Sequence, residues 1–437
     1  MSNKPQNVKG MRDHLPKDMR LRQYITNTLT TVFERHSFEP LQTPIVEYAE
    51  TLDSKIGDEE KLIYRFEDHG GRKLALRYDQ TVSLARVVAQ YQGQLAFPWK
   101  RYAIGQSYRG ERPARGRYRE FWQADIDIVG SQSPVADAEI VAIVDEALAA
   151  LGFTGFTTLL NHRQILGGIA RVAGLDEDSA GNVYRSIDKL DKIGVDGVRE
   201  DLRKSGVSAE GSTRILDLIS LRGTTEAVLR ELSTLLKDDE RALAALDNLH
   251  AITHALDAMG IPTERYAVAP HLSRALSYYT GVVFETVVET PPMGSLLGGG
   301  RYDELIGAFA SRPIPTVGLA FGIDRLHDVM TELALNPNSA TIADVFITIF
   351  DEGSVGISLQ LATELRRSGF NVETALDGTE KLGKQFKYAD RKEIPYALVL
   401  GPDELAQGTV VVRNMQNGEQ RSVARSDVVA TLQKSHS

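Results

Sequence analysis

One run, KRYAIGQSYRGERPARGRYREFWQADIDIVG from Lys100 to Gly130, narrows what this 437-residue chain can fold into more than any other. Seven cations lie between Lys100 and Arg119, against a single acid, Glu111. The residues that follow alternate as a strand does. At period 2, Arg117, Arg119, Phe121, Gln123, Asp125 and Asp127 share one face, and Trp122, Ala124, Ile126 and Ile128 share the other. A solvated hairpin with its arginines in water would need neither a patterned apolar face nor an aromatic ring on the polar one. Cations at one end and carboxylates at the other suit a ligand that is anionic at one end and cationic at the other. A nucleotide phosphate lying against an amino acid has that form, and Phe121 offers a ring on which a base can stack.

Length predicts about three domains at roughly 150 residues each. With 42% apolar and 25% charged residues the composition is that of an ordinary globular chain. The opening MSNKPQNVKGMRDHLP lacks the apolar centre of a secretory signal, and no run reaches the roughly 18 apolar residues of a membrane span, so a cytoplasmic location is expected. Without cysteine there are no disulfides and no thiolate zinc sites. The net charge of −9 does not advertise nucleic-acid binding, but affinity for phosphate follows local clusters. Two exist: the 100–119 block, and Lys381, Lys384, Lys387, Arg391 and Lys392 with Asp390 among them.

Spacing predicts an amphipathic helix over 16–36 and an extended path through Pro40 and Pro44. Short antiparallel strands are expected from Leu62 to Gly130, then a helix over Ala136–Leu151. Residues 171–260 read as a helical insertion, with apolar groups such as Ile215, Leu216, Leu246 and Leu249 at helical spacing. Strand signals resume at Tyr278–Val288, and Thr316–Leu326 reads as a strand turning into a helix. A polar linker at 333–342 leads into an α/β unit over 343–437. Residues 1–170 and 261–332 would then form one core, an antiparallel sheet with helices, of the α+β class.

Five segments carry a specific resemblance: Leu76–Thr81 (LRYDQT), Tyr108–Pro113 with Gln123 and Asp127, Arg274–Gly281 (RALSYYTG), Gly298–Asp303 (GGGRYD) and Gly318–Leu326. Together, in this order, they resemble the histidyl-tRNA synthetases among the class II aminoacyl-tRNA synthetases. The resemblance implies activation of L-histidine by ATP with Mg²⁺, then transfer to tRNA(His). Arg109 and Arg274 would flank the α-phosphate as the catalytic cations, and Arg117 and Arg325 would hold the outer phosphates. Arginine suits this because its planar fork is always charged and grips oxyanions in pairs. Phe121 would stack on adenine and Glu111 would bond near the base. Asp79, Thr81 and Gln123 would accept from the α-ammonium. Asp127 would accept from one imidazole nitrogen and Tyr279, beside Tyr278, would meet the other. No protein ligand is assigned to the metal. Such polar recognition rejects ligands that leave partners unpaired, so an editing domain is not expected.

The same resemblance assigns 343–437 to anticodon binding, with Arg112, Arg115, Lys384 and Lys387 as candidate tRNA contacts, and places Pro40–Pro44 where class II enzymes form a homodimer. Two departures stand out, Ala275 in place of the usual glycine and Ser277 in place of a common aspartate. For Asp125 an ion pair with a neighbouring arginine is expected. The rival reading is the synthetase-like regulatory subunit of ATP phosphoribosyltransferase, which binds histidine without charging tRNA. It commonly lacks the tail domain and erodes the ATP arginines, and this chain has both. A synthetase-like sensor fused to a kinase would need a kinase segment that is absent here.

Overall fold

A computed structural model of the protein describes residues 4–53, 57–175, 177–274, 278–310, 312–335 and 341–436. Helix α1, Pro16–Arg35, starts with proline in its first turn, where no amide hydrogen is needed. It buries Leu21, Ile25, Leu29, Val32 and Phe33 at the spacing of one helical face. The chain divides into two compact units, Met1–Asn336 and Pro337–Ser437.

The main sheet of the first unit has eight strands: β1 Glu39–Pro40, β2 Trp99–Tyr108, β3 Glu120–Val129, β4 Phe156–His162, β5 Tyr266–Val268, β6 Val282–Val288, β7 Ser295–Arg301 and β8 Thr316–Gly322. Their spatial order is β1-β2-β3-β8-β7-β6-β4-β5. All neighbours run antiparallel except the two edge pairs, β1 with β2 and β4 with β5. Ala124, Ile126 and Ile128 of β3 pack into one core with α1 and with the helix Pro134–Ala150. The alternation therefore sets Phe121, Gln123, Asp125 and Asp127 on the opposite face. Strand β3 begins only at Glu120, so Arg117 and Arg119 lie outside it, contrary to the sequence expectation. Ala114 and Arg117 bridge across a tight turn at Arg115-Gly116 instead.

Between Leu62 and Gly130 the expected run of strands is interrupted by helix α2, Thr81–Tyr91. Its valines favour a strand locally. Tertiary burial of Val82, Leu84, Ala85 and Val88, with Asp79 capping the first turn, decides for the helix. The segments Glu177–Ile187, Leu190–Lys204, Ala209–Ile219, Thr225–Leu235 and Glu240–Ala258 are helices. Their Ile215, Leu216, Leu246 and Leu249 share the core that covers the sheet's apolar face.

The second unit has its own sheet, from β9 Val345–Ile347, β10 Val372–Thr374, β11 Tyr396–Val399, β12 Thr409–Asn414 and β13 Gln420–Ala424, ordered β10-β9-β11-β12-β13. Helices Val355–Arg367 and Val428–His436 bury Leu361, Leu365 and Leu432 with Val345, Leu398 and Val412. Strand β13, the helix Pro402–Gln407 and the last helix complete the α/β unit expected from sequence. Among the described residues no helix is long and apolar enough to cross a membrane.

Candidate active site

The polar face of the main sheet has a floor of small residues. Gln123 lies opposite Gly105 and Gly322, Asp125 opposite Ala103 and Ala320, and Asp127 opposite Arg101 and Gly318. Strand β7 continues the floor with Gly298 and Gly300 opposite Ala320 and Gly318. A floor without side chains leaves room above it, and long side chains from neighbouring segments lie across that room. A Cβ on Gly318 would fall 1.9 Å from Asp127 Oδ1, and one on Gly298 would fall 1.9 Å from Arg274 Nη1.

At one end, cations gather from four segments. Arg109 Nε donates to Tyr78 O at 3.3 Å, and its guanidinium stands 4.2 Å from the Tyr78 ring centre and 5.0 Å from that of Phe121. Arg274 Nη1 donates to Glu285 Oε2 at 3.2 Å. Arg325, just past the start of the helix Ile323–Glu332, donates through Nε to Gly116 O at 3.1 Å and through Nη1 to Ser295 O. Burial, then repulsion from Arg117 and Arg274, lowers the pKa of Arg325, with Arg109 adding to the repulsion. Like charges that act on one another favour an anion among them. Asp324, beside Arg325, anchors the arrangement: Oδ1 accepts from Arg12 Nη2 and Arg22 Nη1 at 2.7 Å each, and Oδ2 from the Trp122 amide at 2.7 Å.

At the other end the groups are acidic and phenolic. Asp79 Oδ1 caps α2 by accepting from the Thr81 and Val82 amides at 3.0 Å each, while Oδ2 is buried without a hydrogen-bond partner. Burial raises its pKa, against the pull of the Val82 amide and of Arg109. Gln123 Oε1 is likewise buried and unpartnered. Asp127 accepts the Tyr302 hydroxyl, and its Oδ2 lies 2.5 Å from Arg101 Nη2. Tyr278 and Tyr279 pack at 4.8 Å between ring centres, with Tyr302 5.9 Å from Tyr278. Burial holds all three phenols above their ordinary range. Unpartnered buried acceptors are costly to keep, so Asp79 Oδ2 and Gln123 Oε1 are suited to receive donors.

The other sequence candidates are placed less uniformly. Glu111 pairs with Arg117 Nε at 3.2 Å, and the Arg117 side chain is 52% exposed. Arg112 is exposed, and exposed Arg115 pairs with Glu332. Lys384 and Lys387 are exposed on the helix Leu382–Arg391 of the second unit, with Lys384 3.5 Å from Glu380. The ion pair expected for Asp125 is not formed: Oδ1 is buried without a partner, and no cation lies within ion-pair distance among the described residues. Burial pushes its carboxyl up to about 7, with the Arg101 charge opposing. Ala275 and Ser277 lie outside the described residues. Sequence reasoning gave no role to Arg101, Arg77, Tyr302 or Glu285. The strand alternation reaches Arg101, which faces Asp127 in register, but its burial depends on pairing between β2 and β3 that spacing alone does not reveal.

A family model described as histidyl-tRNA synthetase matches residues 10–326, and one described as anticodon binding domain matches 344–435. The histidine–tRNA ligase of Cytophaga hutchinsonii is 39% identical over 98% of this chain and 99% of its own. That of Aeropyrum pernix is 40% identical over 99% and 98%. The crystal structure of histidyl-tRNA synthetase from Nostoc sp. PCC 7120 superposes with a TM-score of 0.88 at 30% identity, covering 99% of this chain and 100% of that one. A Bacillus halodurans structure described as an ATP phosphoribosyltransferase regulatory subunit/histidyl-tRNA synthetase gives 0.77 at 26% identity, over 88% and 97%. On this evidence the chain belongs to the histidyl-tRNA synthetase family.

Proposed function

We propose that this protein is a histidine–tRNA ligase. The carboxylate of L-histidine attacks the α-phosphate of ATP, the bond to the outer phosphates breaks, and pyrophosphate leaves histidyl-adenylate behind. The ribose hydroxyl at the 3′ end of tRNA(His) then displaces AMP. The observation that carries the reading is the joining of two opposite half-sites on one sheet face: Arg109, Arg117, Arg274 and Arg325 near one another, with the unpartnered oxygens of Asp79 and Gln123 beside Tyr278 and Tyr279.

The first step presses two anions together, so fixed cations aimed at the transferring group lower its barrier most. Arg109 and Arg274 take that place, with Arg117 and Arg325 on the outer phosphates. The Phe121 ring, already against Arg109, takes the adenine, and Glu111 bonds near it. Asp79, Thr81 and Gln123 receive the α-ammonium, and Asp127 and Tyr279 the imidazole. Mg²⁺ accompanies ATP and neutralises phosphate charge. Among the described residues no group of three or more carboxylates or imidazoles is placed to cage an ion, and Glu285 and Glu111 are already engaged by guanidinium groups.

Residues 1–170 with 261–332 serve as catalytic core, 171–260 as a helical insertion towards the tRNA, 333–342 as a linker and 343–437 as the anticodon-binding domain, with Arg112, Arg115, Lys384 and Lys387 on phosphates. A cytoplasmic homodimer completes the proposal: Pro40–Pro44 occupies the segment that forms the dimer in class II enzymes, and β1, which ends at Pro40, lies at an edge of the main sheet. The Bacillus halodurans likeness keeps a histidine-binding regulator as the second reading. Histidine-dependent exchange of pyrophosphate into ATP by the purified protein decides between them. Histidine binding without exchange would favour the regulator.

A further inference from the structure

Among the described residues, Arg101 is the largest side chain sealed from solvent, at 0% exposure. It stands in β2 directly across from Asp127, on the polar face of the sheet. Nη2 lies 2.5 Å from Asp127 Oδ2, yet none of Nε, Nη1 and Nη2 makes a directed hydrogen bond. Asp125, also buried, is the next residue of β3 on that face; the charges of Asp127 and Asp79 act on Asp125, and that of Asp79 acts on Asp127.

A guanidinium stripped of water costs several kcal/mol, and apolar residues of the same volume often stabilise a fold as well or better. Stability alone is thus a poor reason for Arg101. Its position supplies a better one. Asp127 has neighbouring carboxylates at Asp79 and Asp125 and sits where burial favours the neutral acid. A neutral acid both donates and accepts, whereas a carboxylate only accepts. A ring nitrogen bearing hydrogen satisfies an acceptor-only partner. A ring atom with no hydrogen does not.

We propose that Arg101 is a positioning residue for side-chain specificity: by its charge and its fixed place across β2 and β3 it keeps Asp127 an oriented, acceptor-only partner for the ring N–H of the bound amino acid. This rests on the reading of Asp127 as the ring's partner. Tyr302 fixes the other oxygen, and Gly318, having no side chain, leaves the space in which that oxygen lies.

The test uses the full-length protein with Arg101→Met and Arg101→Lys, in pyrophosphate exchange with histidine and with thiazolylalanine, whose ring carries no N–H. Arg101→Met is expected to raise the histidine KM by about 30-fold, the size of one lost charge-assisted hydrogen bond, with the ATP KM held within about threefold. The preference for histidine over thiazolylalanine should fall by about tenfold or more, and Arg101→Lys should restore part of it. A merely structural arginine would shift both KM values together or neither. Unchanged selectivity, or parallel rises in both KM values, would overturn the proposal. Should the methionine variant not fold, the lysine variant is judged by the same two ratios. If the wild type exchanges no pyrophosphate, the ligase reading fails on its own. Calorimetric titration of wild type and variants with the two amino acids then decides the role of Arg101.

Discussion

Gly298→Ala is the substitution with the most to say about the anion end. Gly298 sits within β7, and its backbone does not lie in the left-handed region, so alanine fits the chain there. The difficulty is above it. A Cβ would stand 1.9 Å from Nη1, 2.5 Å from Cζ and 2.6 Å from Nη2 of Arg274, all three in one guanidinium. Ordinary contact begins at 3.4 Å, so from 1.9 Å the group retreats by about 1.5 Å. Moving it is cheap for the fold: the guanidinium is the end of a flexible chain whose bond to Glu285, at 3.2 Å, is joined by a contact with the Tyr279 side chain. Losing that bond costs about 1 kcal/mol, and alanine recovers part of it by being a better strand residue than glycine.

For the chemistry the same movement is expensive. Misplacing a catalytic group by about 1 Å costs about 100-fold, or about 2.7 kcal/mol of barrier. Single-turnover formation of histidyl-adenylate should therefore slow by about 100-fold or more, with histidine affinity within about threefold and the urea midpoint nearly unchanged. A folded Gly298→Ala protein that activates histidine at the wild-type rate would refute the placement of Arg274 over this strand. So would equal losses of rate and affinity. Gly299→Ala is the control, because its Cβ would meet backbone, Gly318 O at 2.1 Å, and should open the sheet.

Three other expectations follow from particular contacts. Asp324→Ala leaves Arg22, whose side chain is 4% exposed, as an unpaired buried charge and should cost about 3–5 kcal/mol in urea unfolding. Asp79→Asn keeps an acceptor for the cap of α2 but changes the charge met by the ammonium. The histidine KM should rise by about tenfold with little loss of melting temperature, whereas Asp79→Ala should also lose about 1 kcal/mol of cap. For Asp125, with a carboxyl near 7 in the fold against 3.8 ordinarily, the folded state holds the extra proton between those values. This contribution to wild-type stability therefore falls as pH rises through that window, and Asp125→Asn should gain on wild type between about pH 4 and about pH 7. A gap that narrows with rising pH in urea melts would contradict it.

Much of the fold was legible where one period dominates. The α1 spacing and the β3 alternation each carry a single pattern, and the strand-to-helix passage at Gly322-Ile323 follows from apolar residues switching period. Legibility ended where local and tertiary preferences disagree. Val82, Val87 and Val88 speak for a strand, and the helix they occupy is signalled only by Asp79 two residues ahead of Thr81, a capping position. A glycine triplet is turn-prone locally, yet Gly298–Gly300 are mid-strand: neighbouring groups exclude side chains at all three, and the φ of +158° at Gly300 adds a backbone reason. The site was legible by residue type, since phosphate needs arginine and ammonium needs carboxylate. Pairing was not: Asp125 has no arginine partner and Arg101 does have a carboxylate, a difference set by the register of β2 against β3.

That register also accounts for how one sheet face tolerates two opposed charge clusters. Along β3 the polar residues descend from Phe121 through Gln123 and Asp125 to Asp127, and each step of two residues moves about 7 Å. Four arginines at the first end and three buried carboxylates at the last are therefore kept apart by ordinary strand geometry. Burial first, and like charges after it, lower the pKa of Arg325 and raise that of Asp125. Arg101 relieves the acidic end from the neighbouring strand, on the same face, and Asp79 Oδ2 and Gln123 Oε1 stay uncommitted. At the basic end the available carboxylates are Glu285 and Glu111, too few for four guanidinium groups. The excess positive charge there is relieved by an anion, and the unpartnered oxygens at the other end by a cation, so a single ligand carrying both completes the face.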